Sequence, residues 1–287
     1  MHENVLALAT ASNVAVNTLS HGQFLLFALL GEILGTMILI IFGNGVVASV
    51  SFKKMFAHNT RANWVLITAA WALAVFLGVL VADQFGAPGY LNPAVIVMDL
   101  IKGQKEVGVP KFLTNYVAAD ATANVLNAGE MILLLVGTFI GAILGQVILN
   151  IINWNHIKEN PAAALKGSSC TGPAHENKWV HNFLYEFLGT ILLLVAVLVA
   201  GKQTGFAGLT IVVAAVTTIG MSLGSSTGYA INPARDLGPR LVYYLTALIF
   251  KNKLIEPVKA DWKYGLLVPG LAPVVAGLVM GGINAIF

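Results

Sequence analysis

Charge is what this chain has least of. Asp, Glu, Lys and Arg make up 10% of its 287 residues, against about 25% in an average soluble domain. Hydrophobic residues reach 57%, and the mean hydropathy is +0.80. A soluble core of this size does not need so much apolar surface, so the composition points to a polytopic membrane protein. The formal net charge is only +3, and no basic run with interleaved aromatics occurs, so no nucleic-acid partner is expected. The single cysteine, Cys170, excludes an internal disulfide and a cysteine metal cluster. The six histidines are scattered without ligand spacing, and no metal or cofactor is expected. The stretch "MHENVLALATASNVAVNTLSHGQ" has no basic n-region and does not read as a cleaved signal peptide.

Long apolar runs are what the chain does have. Six are long enough to cross a bilayer as helices: 24–50, 64–81, 131–152, 183–200, 206–224 and 265–286. They fall into two groups of three that share an order of signals. Glu32-Ile33-Leu34-Gly35-Thr36 opens one group and Glu186-Phe187-Leu188-Gly189-Thr190 opens the other. In each, a second span is followed by Asn-Pro-Ala, at Asn92-Pro93-Ala94 and at Asn232-Pro233-Ala234. The apolar runs after the triplets, "AVIVMDLI" and "LVYYLTALIF", are too short to span and too apolar for open solvent. They read as re-entrant half-helices. Three spans is an odd number, so the second copy enters from the opposite face. The expected fold is an all-α membrane protein of six spans and two half-helices in an inverted repeat, 24–153 and 183–287, forming one domain.

Asn is a favoured N-cap and Pro is favoured at the first helical position. Each triplet therefore reads as a helix start, and the inverted repeat brings both starts together near the midplane. There each Asn offers an amide donor, and both helix dipoles point their positive ends at one spot. A cation is repelled there, and a neutral hydroxyl is accepted.

These features make the chain similar to the aquaporin, or major intrinsic protein, family, and within it to the glycerol facilitators. The resemblance rests on the paired Asn-Pro-Ala boxes, on "STGYAINPARDLGPR" and on the tail "GLLVPGLAPVVAGLVMGG", and it runs from about Phe24 to Ile286. It implies a passive channel for glycerol and other small neutral solutes, with some water flux, that excludes ions and protons. It implies a selectivity filter of Trp71, Gly220, Tyr229 and Arg235, with Gly220 leaving room for a carbon chain. Trp64 competes with Trp71, although its place at a span end suits an interfacial belt. Asp236, Arg240 and Pro269 match markers of polyol-conducting members; an Asp–Arg pair four apart is also an ordinary helix-stabilising pair. Glu32 and Glu186 are expected to hold the backbone N–H groups of the re-entrant loops. A homotetramer in the plasma membrane, with both termini cytoplasmic, follows from the same resemblance.

Several features depart from that pattern. "GAPGYLNP" carries a small insertion, Gly270 replaces a larger residue, and Thr138 stands where many relatives have Gln. Residues 102–130 form a long polar connection, expected to be a surface helix or a lid. The charge count also conflicts with the family topology. Lys102, Lys105, Lys111 and Lys202 would be cytoplasmic. The opposite side would carry Lys53, Lys54, Arg61, Lys158, Lys166, Lys178, Arg240, Lys251, Lys253, Lys259 and Lys263. The competing functions are a water-, lactic acid- or peroxide-preferring channel, a coupled transporter using Glu32 and Glu186, and a membrane enzyme, for which no catalytic constellation is visible.

Overall fold

The computed structural model describes residues 19–58, 63–114 and 123–286. Arg61, counted above, lies outside them, as does the chain before residue 19. The first repeat holds α1 (His21–Ser51), α2 (Asn63–Gln84), the half-helix α3 (Pro93–Leu100) and α4 (Ala128–Ile152). The second holds α7 (Trp179–Ala200), α8 (Phe206–Leu223) and the second half-helix α9 (Pro233–Ile249). It ends in the last helix, α10 (Trp262–Ile286). Among the described residues, six helices are long and apolar enough to cross a membrane, and they coincide with the six runs read from the sequence. Their starts follow local chemistry. Ser20 and Gln23 form a capping box at α1, and Asn127 and Glu130 form one at α4.

Burial is reversed relative to a soluble bundle. The outward faces carry large exposed apolar side chains such as Leu73, Leu133, Ile140 and Leu188, while Glu32, Thr36, Asn44, Gln146 and Glu186 are buried. Lipid replaces water outside, so apolar surface faces out and small residues let helix backbones approach. Gly35 on α1 and Gly78 on α2 show the second effect. A Cβ on either would stand under 3 Å from the other's carbonyl oxygen.

The two repeats are interleaved. Half-helix α3 packs on α10 of the second repeat, and α9 packs on α4 of the first. Each half-helix is thus held by the repeat that did not supply it, which brings both starts to the middle of the molecule.

Two connections carry secondary structure of their own. In the connection at 102–130, the described residues include two antiparallel strands and a short 3-10 turn at Lys111–Leu113. The strands of this hairpin are β1 (Gln104–Gly108) and β2 (Ala123–Asn127), with Gln104 opposite Asn127 and Gly108 opposite Ala123. Val107 and Leu126 are buried while Val125 is exposed, the period-two pattern of a half-covered strand. The hairpin is fastened by Gly108 N–H donating to Gly86 O at 2.9 Å. Lys111 pairs with Asp83, and His21 bonds Asn124 and Glu130. The connection at 153–178 holds two short helices, α5 (Trp154–Glu159) and α6 (Ala162–Ser169). In α10, residues Leu266–Gly270 form a π turn around Pro269. Proline lacks an N–H and crowds the preceding turn, and the wider π turn relieves this.

Candidate functional site

The site begins with two strained loops. Leu91 and Ile231, the residues before the two Asn, have φ of +52° and +42°. A left-handed backbone is costly for any side chain, and for β-branched Ile231 it is a true outlier costing about 1–3 kcal/mol. Buried carboxylates hold both loops in that shape. Glu32 accepts from Tyr90 N–H at 2.8 Å and Leu91 N–H at 2.9 Å. Glu186 accepts from Ala230 N–H at 3.0 Å and Ile231 N–H at 2.6 Å. Both glutamates are 0% exposed, and every carboxylate oxygen is engaged by a backbone donor.

The turned backbone places two carbonyls for a reciprocal clasp. Asn92 Nδ2 donates to Ile231 O and Asn232 Nδ2 donates to Leu91 O, each at 2.8 Å. Each Asn oxygen also caps its own half-helix: Asn92 accepts from Ala94 N–H, and Asn232 accepts from Ala234 and Arg235 N–H. Pro93 and Pro233 open the two helices, and Ala94 and Ala234 are fully buried behind them. An amide NH₂ has two hydrogens. One is taken by the clasp, and one per Asn remains beside the cavity that both residues line.

That cavity has a volume of about 1310 Å³. It is lined by apolar side chains, among them Leu39, Val75, Val79, Leu193, Val212 and Val216, and by the loop segments 87–92 and 229–232. Trp71, Tyr229 and Arg235 line it together. The Arg235 guanidinium carbon stands 4.1 Å from the centroid of the Trp71 ring, a stacking distance for a cation on an aromatic face. Arg235 is 6% exposed, and its side chain makes no hydrogen bond among the described residues, so its five N–H donors are uncommitted. Trp71 Nε1 and Tyr229 Oη are likewise buried without a partner among the described residues.

Gly220 packs directly against Tyr229 and Thr68. It lies behind Tyr229. A Cβ there would meet Thr68 Cγ2 at 2.7 Å and Tyr229 Cζ at 2.8 Å. Its missing side chain makes the seat in which the Tyr229 ring rests. Trp64, read from the sequence as an interfacial residue, belongs to the same layer. Its Nε1 donates to Gly220 O at 2.9 Å, and its ring meets Tyr229 edge-on at 5.9 Å. A Trp one helical segment from Trp71 was the available signal, but only the fold shows that it backs the tyrosine.

Asp236, Arg240 and Pro269 do not reach the cavity. Arg240 Nε donates to Asp236 Oδ1 at 2.8 Å, and both side chains are 0% exposed. Arg240 also donates to Thr171 O and Ala260 O, and Asp236 accepts from Thr171 N–H and Oγ. This satisfied buried pair ties two connections, near 171 and 260, to α9 one turn beyond Arg235. The left-handed loops and the clasp carry no sequence signal of their own; only the duplication of the triplets hinted at them.

With this geometry in hand, the chain can be compared with known proteins. The family model described as "Major intrinsic protein" matches residues 18–122 and 113–284. A "Probable glycerol uptake facilitator protein" of Mycoplasmoides gallisepticum is 48% identical over 257 residues, covering 89% of this chain and 95% of that one. "Glycerol uptake facilitator protein 2" of Lactiplantibacillus plantarum is 38% identical over 260 residues, covering 90% of this chain and 97% of its own length. The crystal structure of the aquaglyceroporin from Plasmodium falciparum has the same fold, with a TM-score of 0.68 at 22% identity over 91% of this chain and 95% of that one. Two matched repeats, six membrane-capable helices and two inward half-helices agree, and the chain belongs to the major intrinsic protein family of multi-pass membrane proteins.

Proposed function

We propose that this protein is a passive channel for glycerol and similar small neutral solutes, with secondary water flux, and that it is not an enzyme. The observation that carries the reading is the single cavity that runs from Arg235, Trp71 and Tyr229 past Asn92 and Asn232. A polyol entering this constriction lays its CH groups on the two aromatic faces and its hydroxyls on the free donors of Arg235. Further in, the remaining N–H of each Asn meets one hydroxyl at a time. Both half-helix N-termini point their positive ends at that place, which repels cations. Half-helix dipoles that exclude protons and cations are a general property of aquaporin-type pores. The names of the relatives support glycerol as the solute. Gly220, as the seat of Tyr229, supports a channel wide enough for a carbon chain. A coupled transporter needs ion-binding acids at the midplane, and the two candidates, Glu32 and Glu186, are occupied by backbone N–H groups.

Family membership supports a homotetramer in the plasma membrane with both termini cytoplasmic. The test is glycerol flux into proteoliposomes with and without imposed Na⁺ or H⁺ gradients. Equal, downhill flux in both conditions is expected. Accumulation against a glycerol gradient would overturn the channel reading.

A further inference from the structure

We propose that the cavity carries a second polar station, at the end opposite Arg235, which binds the vicinal hydroxyls of a small polyol. It is formed by Tyr90, Asp99 and Lys105, and it rests on the channel reading above. Half-helix α3 starts at the central Asn92 and runs away from Arg235. Asp99 lies near its far end, about 10 Å along the axis at 1.5 Å per residue. Lys105 comes from β1 of the hairpin formed by β1 and β2. All three side chains line the cavity.

The chemistry of the cluster is unbalanced in a useful way. Asp99 Oδ2 accepts both the Tyr90 hydroxyl, at 3.0 Å, and Lys105 Nζ, at 2.9 Å. Asp99 Oδ1 makes no bond among the described residues, and an ammonium has two further N–H donors. An open acceptor and open donors therefore stand side by side on the wall. Lys105 Nζ is also 5.1 Å from the Tyr90 ring centroid, which fixes it over an aromatic platform. A vicinal diol fits this arrangement. One hydroxyl donates to Asp99 Oδ1, its neighbour accepts from Lys105, and the carbon chain lies against Tyr90. Asn284 on α10 lines the same cavity, and its Nδ2 is buried without a partner among the described residues, adding a further donor.

Anchoring the hairpin does not account for the pair. The hairpin is already held by Gly108 on Gly86, by Lys111 on Asp83 and by His21 on Asn124. Tyr90 also belongs to the pore itself, because Glu32 holds its N–H two residues before Asn92.

The test uses the full chain in proteoliposomes, with Asp99→Asn and Lys105→Met as separate variants. Asp99→Asn keeps an oxygen for Tyr90 and Lys105 but turns the open acceptor into a donor. Lys105→Met keeps the aliphatic stem on a half-covered hairpin and so tolerates folding. Glycerol flux is measured against concentration, beside water and urea flux at equal protein content. The half-saturating glycerol concentration is expected to rise about threefold to tenfold in each variant, the scale of one lost hydrogen bond, with water and urea unchanged. Unchanged half-saturation in both variants overturns the station alone. A parallel change in all three solutes also overturns it, by showing that the pair only docks the hairpin. Absent glycerol flux in the wild-type protein overturns the channel assignment, and the station with it.

Discussion

At the scale of single residues, the proposed constriction turns on a position with no side chain. Gly220 admits the Tyr229 ring, and an added methyl would stand 2.7 Å from Thr68 and 2.8 Å from Tyr229. Gly220→Ala therefore pushes the ring toward the cavity. Overpacking of this kind costs about 1–3 kcal/mol, which in a permeation barrier is about tenfold at 1.4 kcal/mol. Glycerol flux by stopped-flow light scattering should fall by that order. Adding Tyr229→Ala should restore much of it, since the ring is what the methyl displaces; independent, additive losses would show that the two residues do not share one site. Gly220→His alone should disturb the protein more than the pore, and only Gly220→His with Tyr229→Ala gives an imidazole room. Arg235→Ala removes the uncommitted donors and the fixed charge beside Trp71. It should retain or raise glycerol flux while admitting protons, read with a pH dye inside vesicles; unchanged proton exclusion would remove Arg235 from the filter.

At the scale of elements, the half-helices depend on carboxylates that come from other helices. Glu32→Gln leaves one acceptor for two backbone donors, and the new NH₂ faces an N–H. An orphaned buried donor costs about 1–3 kcal/mol, and the left-handed Leu91 loses its support. Glu186→Gln should do the same to Ile231. Both variants should show a lowered thermal midpoint in detergent together with reduced flux, and nearly equal losses are expected from the repeat. A Glu186→Gln protein of wild-type stability would argue against this account. The repeat is also why so much was legible. Paired triplets, paired Glu-x-Leu-Gly-Thr runs and long apolar spans each follow from local rules of capping, hydropathy and period. What stayed hidden depends on tertiary contact. The hairpin's strands are only five residues long and half polar, so their pairing rather than their composition makes them strands. Gly220 was legible as a space, but not as the space that Tyr229 fills. Trp64 looked interfacial because a span end and a filter backing carry the same residue.

At the scale of the whole molecule, orientation in the membrane remains the quantity on which charge and family disagree. A pseudo-two-fold axis in the membrane plane makes the central clasp nearly the same from either side, so orientation matters through what is asymmetric: Arg235 and its aromatic partners at one mouth, the hairpin with Lys105 at the other. The structure reduces the charge conflict without removing it. Arg240 is buried against Asp236, so it does not act as a free loop cation, whereas Lys54, though paired with Glu159 at 2.8 Å, is exposed and still counts. Lys251, Lys253 and Lys259 remain exposed on the Arg235 side, and the positive-inside rule would turn that side toward the cytoplasm. Family membership turns it outward, and we expect the family orientation. The single cysteine makes the test direct. Cys170 is 4% exposed and burial pushes its thiol up to about 12, so at neutral pH almost none is thiolate, the reactive form. Mercurials and maleimides should therefore leave wild-type flux largely unchanged, and Cys170→Ser should provide a silent background. In that background, Lys253→Cys should react with a membrane-impermeant maleimide added to intact cells, and Gln203→Cys, on the hairpin side, only after lysis. The reverse pattern would place the hairpin and its lysines outside, and would mean that the excess of basic residues on one side outweighs the family's habit.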